Sequence, residues 1–315
     1  MKLLITGAAG NLGSFLARHL LNSDMDVGLM YHKTPLSSEL RSADNMHPIQ
    51  ADLARPETLP GACAGVDCVV HFAGVLFAPG PEHFLPDTNV QYVRNLVAAA
   101  LEAGVSRFII VSFPHVEGES NPDCPARGNP HGDPESAHAR TRLQAEQHLF
   151  EACEGTKMTP VVLRPGMIYG REILMIAAAR WLARHHLLYV WRKPTWIHLL
   201  SLPDFLTCVA QAATLETCSG IYNLGDDQPT TLQEFLDMAT RHWNCHRPLR
   251  LPRWCFFVAA WACETFARLF RTASPLTADF IRIGMVSYTA DTSRMKEELL
   301  AQLAYPSLNE GLPLL

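Results

Sequence analysis

Apolar runs recur along the chain at residues 2–6, 27–31, 66–72, 108–112, 159–163 and 221–224, separated mostly by stretches whose apolar positions repeat at helical spacing. Short buried strands alternating with helices predict a parallel sheet covered on both faces. The first unit is the most explicit. Residues 2–6 end in Gly7-Ala8-Ala9-Gly10-Asn11-Leu12-Gly13, and residues 14–21 continue as an amphipathic helix.

The alternation stops over residues 113–136, where Pro114, Pro122, Pro125, Pro130 and Pro134 mark a long irregular loop of the kind used as a lid or mobile segment. Asp133-Pro134-Glu135 then reads as an N-cap with proline at the first helical position, opening a helix that ends near Cys153. Residues 173–191 and 253–271 form two apolar, aromatic-rich helical stretches. They predict the core of a smaller second lobe, with a wall for a large apolar ligand and a membrane-surface patch as sharper alternatives. The fold class is therefore α/β: a Rossmann-type doubly wound parallel sheet with a smaller, mostly helical C-terminal substrate lobe. Residues 1–165 form the dinucleotide-binding core, to which 198–225 return, and 166–197 with 226–315 form the lobe.

Composition narrows the partners. The 315 residues are 48% hydrophobic and 18% charged, which describes a folded globular chain. A net charge of −5 argues against nucleic acid. Nine cysteines without a CxxC pair read as free thiols in a reducing cytoplasm. The start at Met1 leaves no room for a leader, and the longest apolar stretch, 254–263, is short of the ~20 residues that span a bilayer. Peripheral membrane contact and a homodimer stay open.

The glycine turn carries the first candidate chemistry. Gly7 permits the turn, Gly10 lets the backbone approach a pyrophosphate, Gly13 lets helix and strand pack closely, and the helix N-terminus offers N–H donors, Asn11 and Leu12 among them. The second strand ends Tyr31-His32-Lys33, with cations where an NAD-specific site places a carboxylate, so NADP(H) is expected over NAD(H). His115, Glu117, His131, Asp133 and His138 match no metal-ligand spacing, and no metal is expected.

Thr6-Gly7-Ala8-Ala9-Gly10-Asn11-Leu12-Gly13 resembles the TGxxGxxG signature of the extended short-chain dehydrogenase/reductases, the epimerase/dehydratase-like superfamily. Further similarities follow in order at Asp52-Leu53, His71-Phe72-Ala73-Gly74, Asn89-Val90, Arg164-Pro165-Gly166-Met167-Ile168-Tyr169-Gly170 and Gly220-Ile221-Tyr222-Asn223-Leu224-Gly225. The resemblance implies that Asp52 and Leu53 meet the adenine, that Phe72, Ala73 and Gly74 lie beside the adenosine, and that Pro165 and Gly166 line the nicotinamide end. It also implies a Ser or Thr, a Tyr and a Lys as the catalytic set. Here those positions hold Phe113, His138 and Arg142. Phe113 cannot hydrogen-bond an oxyanion, His138 can still exchange protons, and Arg142 can grip ribose or phosphate but cannot serve as a base.

The resulting expectation is an atypical oxidoreductase or isomerase acting on a bulky apolar carbonyl or alcohol, with His138 and Arg142 as catalytic candidates. Two alternatives remain. One is a non-catalytic NADPH sensor or structural subunit, resembling the NmrA-like regulators and the NADPH-holding subunit of respiratory complex I; the other is a non-redox dehydratase, cyclase or isomerase. A simple helix surface, with Arg142 paired to Glu146 and His138 solvated, is the bland reading of the same spacing.

Overall fold

A computed structural model describes residues 1–74, 80–270, 272, 274 and 276–315. Six parallel strands, β1 (Lys2–Thr6), β2 (Asp26–Tyr31), β3 (Met46–Gln50), β4 (Cys68–His71), β5 (Arg107–Val111) and β6 (Thr159–Pro165), join an edge strand at Gly220–Leu224 in one seven-stranded sheet. The order is edge strand, β6, β5, β4, β1, β2, β3, with every pairing parallel. The central strands are buried along nearly their whole length, consistent with helices on both faces. Two apolar layers, one on each side of the sheet, form the core.

The sheet order sets β1 beside β4, the middle strand, and between these two the winding reverses, one way toward β3 and the other way toward the edge strand. In open sheets of this kind ligands bind at such a switch point, outside the carboxyl ends of the strands. Four segments reach that rim: the glycine turn after β1, the His71–Gly74 turn after β4, the loop after β5, and the start of the Ala137–Cys153 helix.

That helix begins three residues later than Asp133-Pro134 predicts. Its N-cap is Ser136, whose hydroxyl accepts from Ala139 N at 3.1 Å. Gly132 and Asp133 are instead packed against the 116–118 backbone: a Cβ on Gly132 would lie 2.1 Å from the Val116 carbonyl oxygen. The preceding loop is also tied down. Ser120 N donates to Ser287 O, Ser120 Oγ to Thr289 O, and Ala126 N to Thr289 O, so the C-terminal segment straps residues 120–126 across the rim.

The two apolar stretches at 173–191 and 253–271 divide differently from a pair of long helices. Residues 173–191 give a helix at Leu174–Arg184, a turn with His186 at φ +59°, and a strand at Tyr189–Trp191 that pairs in parallel with Leu249–Leu251. The second stretch is a helix at Arg253–Phe270; Arg271, which the sequence pattern includes in it, lies outside the described residues.

Candidate active site at the carboxyl ends of the strands

Gly7 sits at φ +69°, and a Cβ there would come within 3.0 Å of Ala73 N, so the turns after β1 and β4 touch backbone to backbone. Gly13 faces the same constraint more severely, with a Cβ falling 2.3 Å from Gly7 O. The turn closes through a Gly10 N–H to Gly7 O bond of 2.8 Å and leads into the Asn11–His19 helix. Backbone N–H groups at a helix start, held open by glycine, are a cradle for phosphate. The Asn11 side chain does not face it. Its amide donates to Glu172 O at 3.1 Å and its oxygen accepts from Leu174 N at 3.3 Å, which anchors the second lobe to the turn. Leu12 packs partly buried on the core, and Phe72 meets Phe205 edge-on at 6.3 Å.

At the end of β2 the His32 Nε2 approaches Asp52 Oδ2 at 3.3 Å, while Asp52 Oδ1 accepts from Ala54 N at 3.0 Å. The carbonyl of Leu53 takes a 2.8 Å bond from Asn95. Lys33 is exposed and makes no hydrogen bond or ion pair among the described residues. It is therefore an uncommitted cation at the end of β2. Pro165 ends β6, and Gly166 N donates to Leu224 O at 2.8 Å, closing the far end of the groove.

His138 and Arg142 lie on one face of the Ala137–Cys153 helix, and both are buried, 4% and 6% exposed. The solvated-surface reading fails on that burial. The expected Arg142–Glu146 pair is also absent: Glu146 takes Arg164, which grips it through Nε at 3.1 Å and Nη2 at 2.5 Å. Arg164 uses Nη1 on Glu117 at 2.7 Å and two further bonds on Asn129 O at 3.1 Å, and Ser112 Oγ donates to Glu146 from the end of β5. This buried fork fixes the helix against β5, β6 and the loop.

Arg142 turns the other way, toward the rim. Its Nη2 lies 2.4 Å from where a Cβ of Gly74 would stand, so a side chain there would displace the guanidinium, and its Nη1 is buried without a partner among the described residues. Burial lowers its pKa to about 10, with Glu146 opposing, and it stays charged at neutral pH. Nearby, Asn89 donates to Thr141 at 3.0 Å but leaves its Oδ1 buried and unpartnered. A buried cation and a buried amide oxygen without partners, beside a glycine cradle, match the ribose hydroxyls and phosphates of a dinucleotide.

Around His138 the surroundings are aromatic. Phe113 packs edge-on against it at 4.9 Å, His115 lies tilted against Phe113 at 5.0 Å, and Tyr288 meets His115 at 5.6 Å. The Tyr288 hydroxyl is buried and unpartnered. Burial, reinforced by Arg142 and His115, holds the His138 pKa down at about 3; burial holds His115 at about 4, and burial with Arg142 holds His71 at about 3. All three imidazoles are neutral at pH 7. Sequence reading gave no site role to Tyr288 and did not foresee its contact with His115. The two stand far apart along the chain, which leaves no local signal.

These imidazoles predict acid lability. Each binds a proton more readily in the unfolded chain, near pH 6.5, than in the folded one, so stability is complete above about pH 6.5 and falls as the pH drops toward 4. At pH 5 each contributes a loss of roughly 2 kcal/mol. Thermal unfolding followed from about pH 7.5 down to about pH 5 checks this, the midpoint expected to hold level down to about pH 6.5 and to fall below it.

No helix among the described residues is long and apolar enough to cross a membrane, and no His, Cys, Asp and Glu cluster among them has the form of a metal site. Among solved structures the fold is similar to that of UDP-glucose 4-epimerase of Thermotoga maritima with UDP-glucose (TM-score 0.78, 18% identity, 100% of this chain and 97% of that one). It is also similar to UDP-glucose 4-epimerase of Thermus thermophilus in complex with NAD (TM-score 0.76, 19% identity, with the same coverage). Among curated proteins it is 32% identical over 174 residues to a 2-alkyl-3-oxoalkanoate reductase of Stenotrophomonas maltophilia, covering 54% of this chain and 52% of that protein. It is 27% identical over 244 residues to human 3 beta-hydroxysteroid dehydrogenase type 7, covering 67% and 65%. The alignments thus span about half to two thirds of the length of these relatives. Residues 3–225 match the NAD dependent epimerase/dehydratase family, and with the parallel sheet and glycine turn in place, the chain belongs to that family.

Proposed function

We propose that the chain is an NADP(H)-dependent oxidoreductase acting on a bulky, largely apolar carbonyl or alcohol. The observation that carries this reading is Arg142, a buried guanidinium with an unpartnered Nη1 held against Gly74 beside the glycine cradle. A structural arginine would be paired like Arg164; an unpaired one in this place suits a ligand that brings its own oxygens. Curated relatives named for reducing 3-oxoalkanoates and oxidising hydroxysteroids support the substrate class.

The cofactor, when bound, supplies or accepts the hydride. The glycine cradle would hold the pyrophosphate, Asp52 and Leu53 the adenine, Phe72, Ala73 and Gly74 the adenosine, Lys33 with His32 the 2′-phosphate, and Arg142 with Asn89 the nicotinamide ribose. Pro165 and Gly166 would line the nicotinamide end. His138, neutral at working pH, donates an N–H bond to the carbonyl oxygen as charge develops on it, the part a Ser or Thr hydroxyl would play at the position of Phe113, and the alkoxide formed by hydride addition takes its proton from water. Phe113 contributes an apolar wall that excludes water.

The test follows transfer of deuterium from 4-deuterated NADPH to 2-alkyl-3-oxoalkanoate and 3-oxosteroid probes. Transfer is expected, flat in rate between about pH 5.5 and 8 as far as His138 is concerned, with His138→Phe lowering it by about 100-fold. Nucleotide bound without any transfer would support the second reading, a cofactor-holding protein without turnover, which the replacement of a hydroxyl by Phe113 favours. Full turnover in His138→Phe would remove that residue from the mechanism.

A further inference from the structure

The second lobe carries an apolar face that the core does not use. Along the Arg253–Phe270 helix, Trp254, Val258, Trp261 and Leu269 follow at i, i+4, i+7 and i+15 on one side, 66%, 55%, 67% and 75% exposed. The Leu174–Arg184 helix adds Trp181, and the strand before the longer helix adds Leu249, both exposed. The two helices are linked through the strands that adjoin them, which pair in parallel, and through Trp191, which packs edge-on against Phe256 at 5.6 Å. Scattered exposed apolar residues need no explanation; a stripe with two tryptophans does.

The charge around that stripe indicates what covers it. Residues 173–197 hold Arg180, Arg184, Arg192 and Lys193 and no carboxylate, while residues 243–286 hold arginines at 247, 250, 253, 268, 271 and 282 against only Glu264 and Asp279. The whole chain is net −5, so positive charge is concentrated on this lobe. Arg247 and Arg250 are committed to Asp237, at 2.9 and 2.8 Å. Glu264 accepts from Ala278 N at 2.9 Å and lies 3.8 Å from Arg268 Nη2, a loose pair along the helix that leaves the Arg268 side chain 71% exposed; Arg253 on the same helix and Arg184 on the Leu174–Arg184 helix are exposed as well. A second copy would bring like charge against like charge.

We propose that this face docks on the surface of an anionic phospholipid bilayer. The Arg253–Phe270 helix lies in the plane of the headgroups, Trp254, Val258, Trp261 and Leu269 enter the headgroup–acyl boundary, and Arg184, Arg253 and Arg268 meet lipid phosphates. The helix is too polar to span the bilayer, consistent with a bound rather than inserted state. The inference is independent of the reaction proposed for the rim.

Co-sedimentation of the full chain with vesicles of phosphatidylcholine alone, or mixed with phosphatidylglycerol, tests it. Binding to the mixed vesicles is expected to be at least about tenfold stronger than to the neutral ones and to weaken as salt is raised. Leu269→Ser is expected to reduce it by about tenfold and Arg268→Glu by at least about fivefold. Both positions are exposed, and unchanged thermal unfolding of each variant separates lost docking from lost fold. Tryptophan emission is expected to shift blue on vesicle addition and to be quenched by brominated acyl chains, with Trp261→Phe removing part of both signals. The proposal is overturned by absent binding to anionic vesicles, by binding that ignores both substitutions, or by a dimer in light scattering that Leu269→Ser dissolves. The last result would mean that a second copy covers the face.

Discussion

Arg142→Met is expected to weaken NADPH binding by about 100-fold, the scale of one to two charge-assisted hydrogen bonds, while leaving the empty protein at least as stable as the parent. The two effects have one origin. The guanidinium is 6% exposed, its Nη1 has no partner, and the nearest carboxylate along the helix, Glu146, is taken by Arg164. In the empty protein the charge therefore costs desolvation without full compensation, and methionine, of similar length and apolar, removes that cost. It also removes a neighbour that lowers the pKa of His138 and His71, so both imidazoles should titrate at higher pH in the variant. Calorimetric titration with NADPH and thermal unfolding, measured on the same sample, check the pair of outcomes. A variant that loses stability and binding together would make Arg142 a structural residue.

Arg164→Met is expected to do the opposite, destabilising the fold by about 3–5 kcal/mol because it strands two buried carboxylates. Arg164 is completely buried; Glu146 is 1% exposed, and Glu117 keeps only 10% of its side chain in contact with solvent. This fork ties the Ala137–Cys153 helix to β6 and the loop, and Gln147 adds one separate bond to Pro130 O at 3.1 Å. A drop of roughly 10 °C in the unfolding midpoint follows from the scale of such losses in a chain of this size. Adding Glu146→Leu should restore part of it, since an apolar replacement of both partners leaves one fewer orphaned charge. If the double variant is no more stable than Arg164→Met alone, the buried carboxylate is not the source of the loss.

The contrast between these two arginines is where sequence reading reached its limit. Spacing of i and i+4 pairs Arg142 with Glu146, but a planar fork offering two parallel bonds from β6 outcompetes a single flexible contact along the helix, and Arg142 is left to face Gly74. The strands and glycine turn were legible because apolar runs and turn chemistry are local properties. Strand β3 was not, since Met46-His47-Pro48-Ile49-Gln50 lies at the sheet edge with three of its five positions exposed and shows no apolar run. The helix start moved from Asp133 to Ser136 for a tertiary reason, the close packing of Gly132 on Val116. The Phe113, His115, His138 and Tyr288 cluster is likewise assembled by the fold. Only the burial it imposes shows that these histidines are neutral.

The most direct test of the account is calorimetric titration of nucleotide-free protein with NADPH, NADP, NADH and NAD. Both phosphorylated nucleotides are expected to bind at least about tenfold tighter than their counterparts, as one added phosphate–cation contact supplies, and Lys33→Asp is expected to abolish the difference. Binding of none of the four would contradict the account, leaving the glycine turn a structural feature and the buried Arg142 without its ligand.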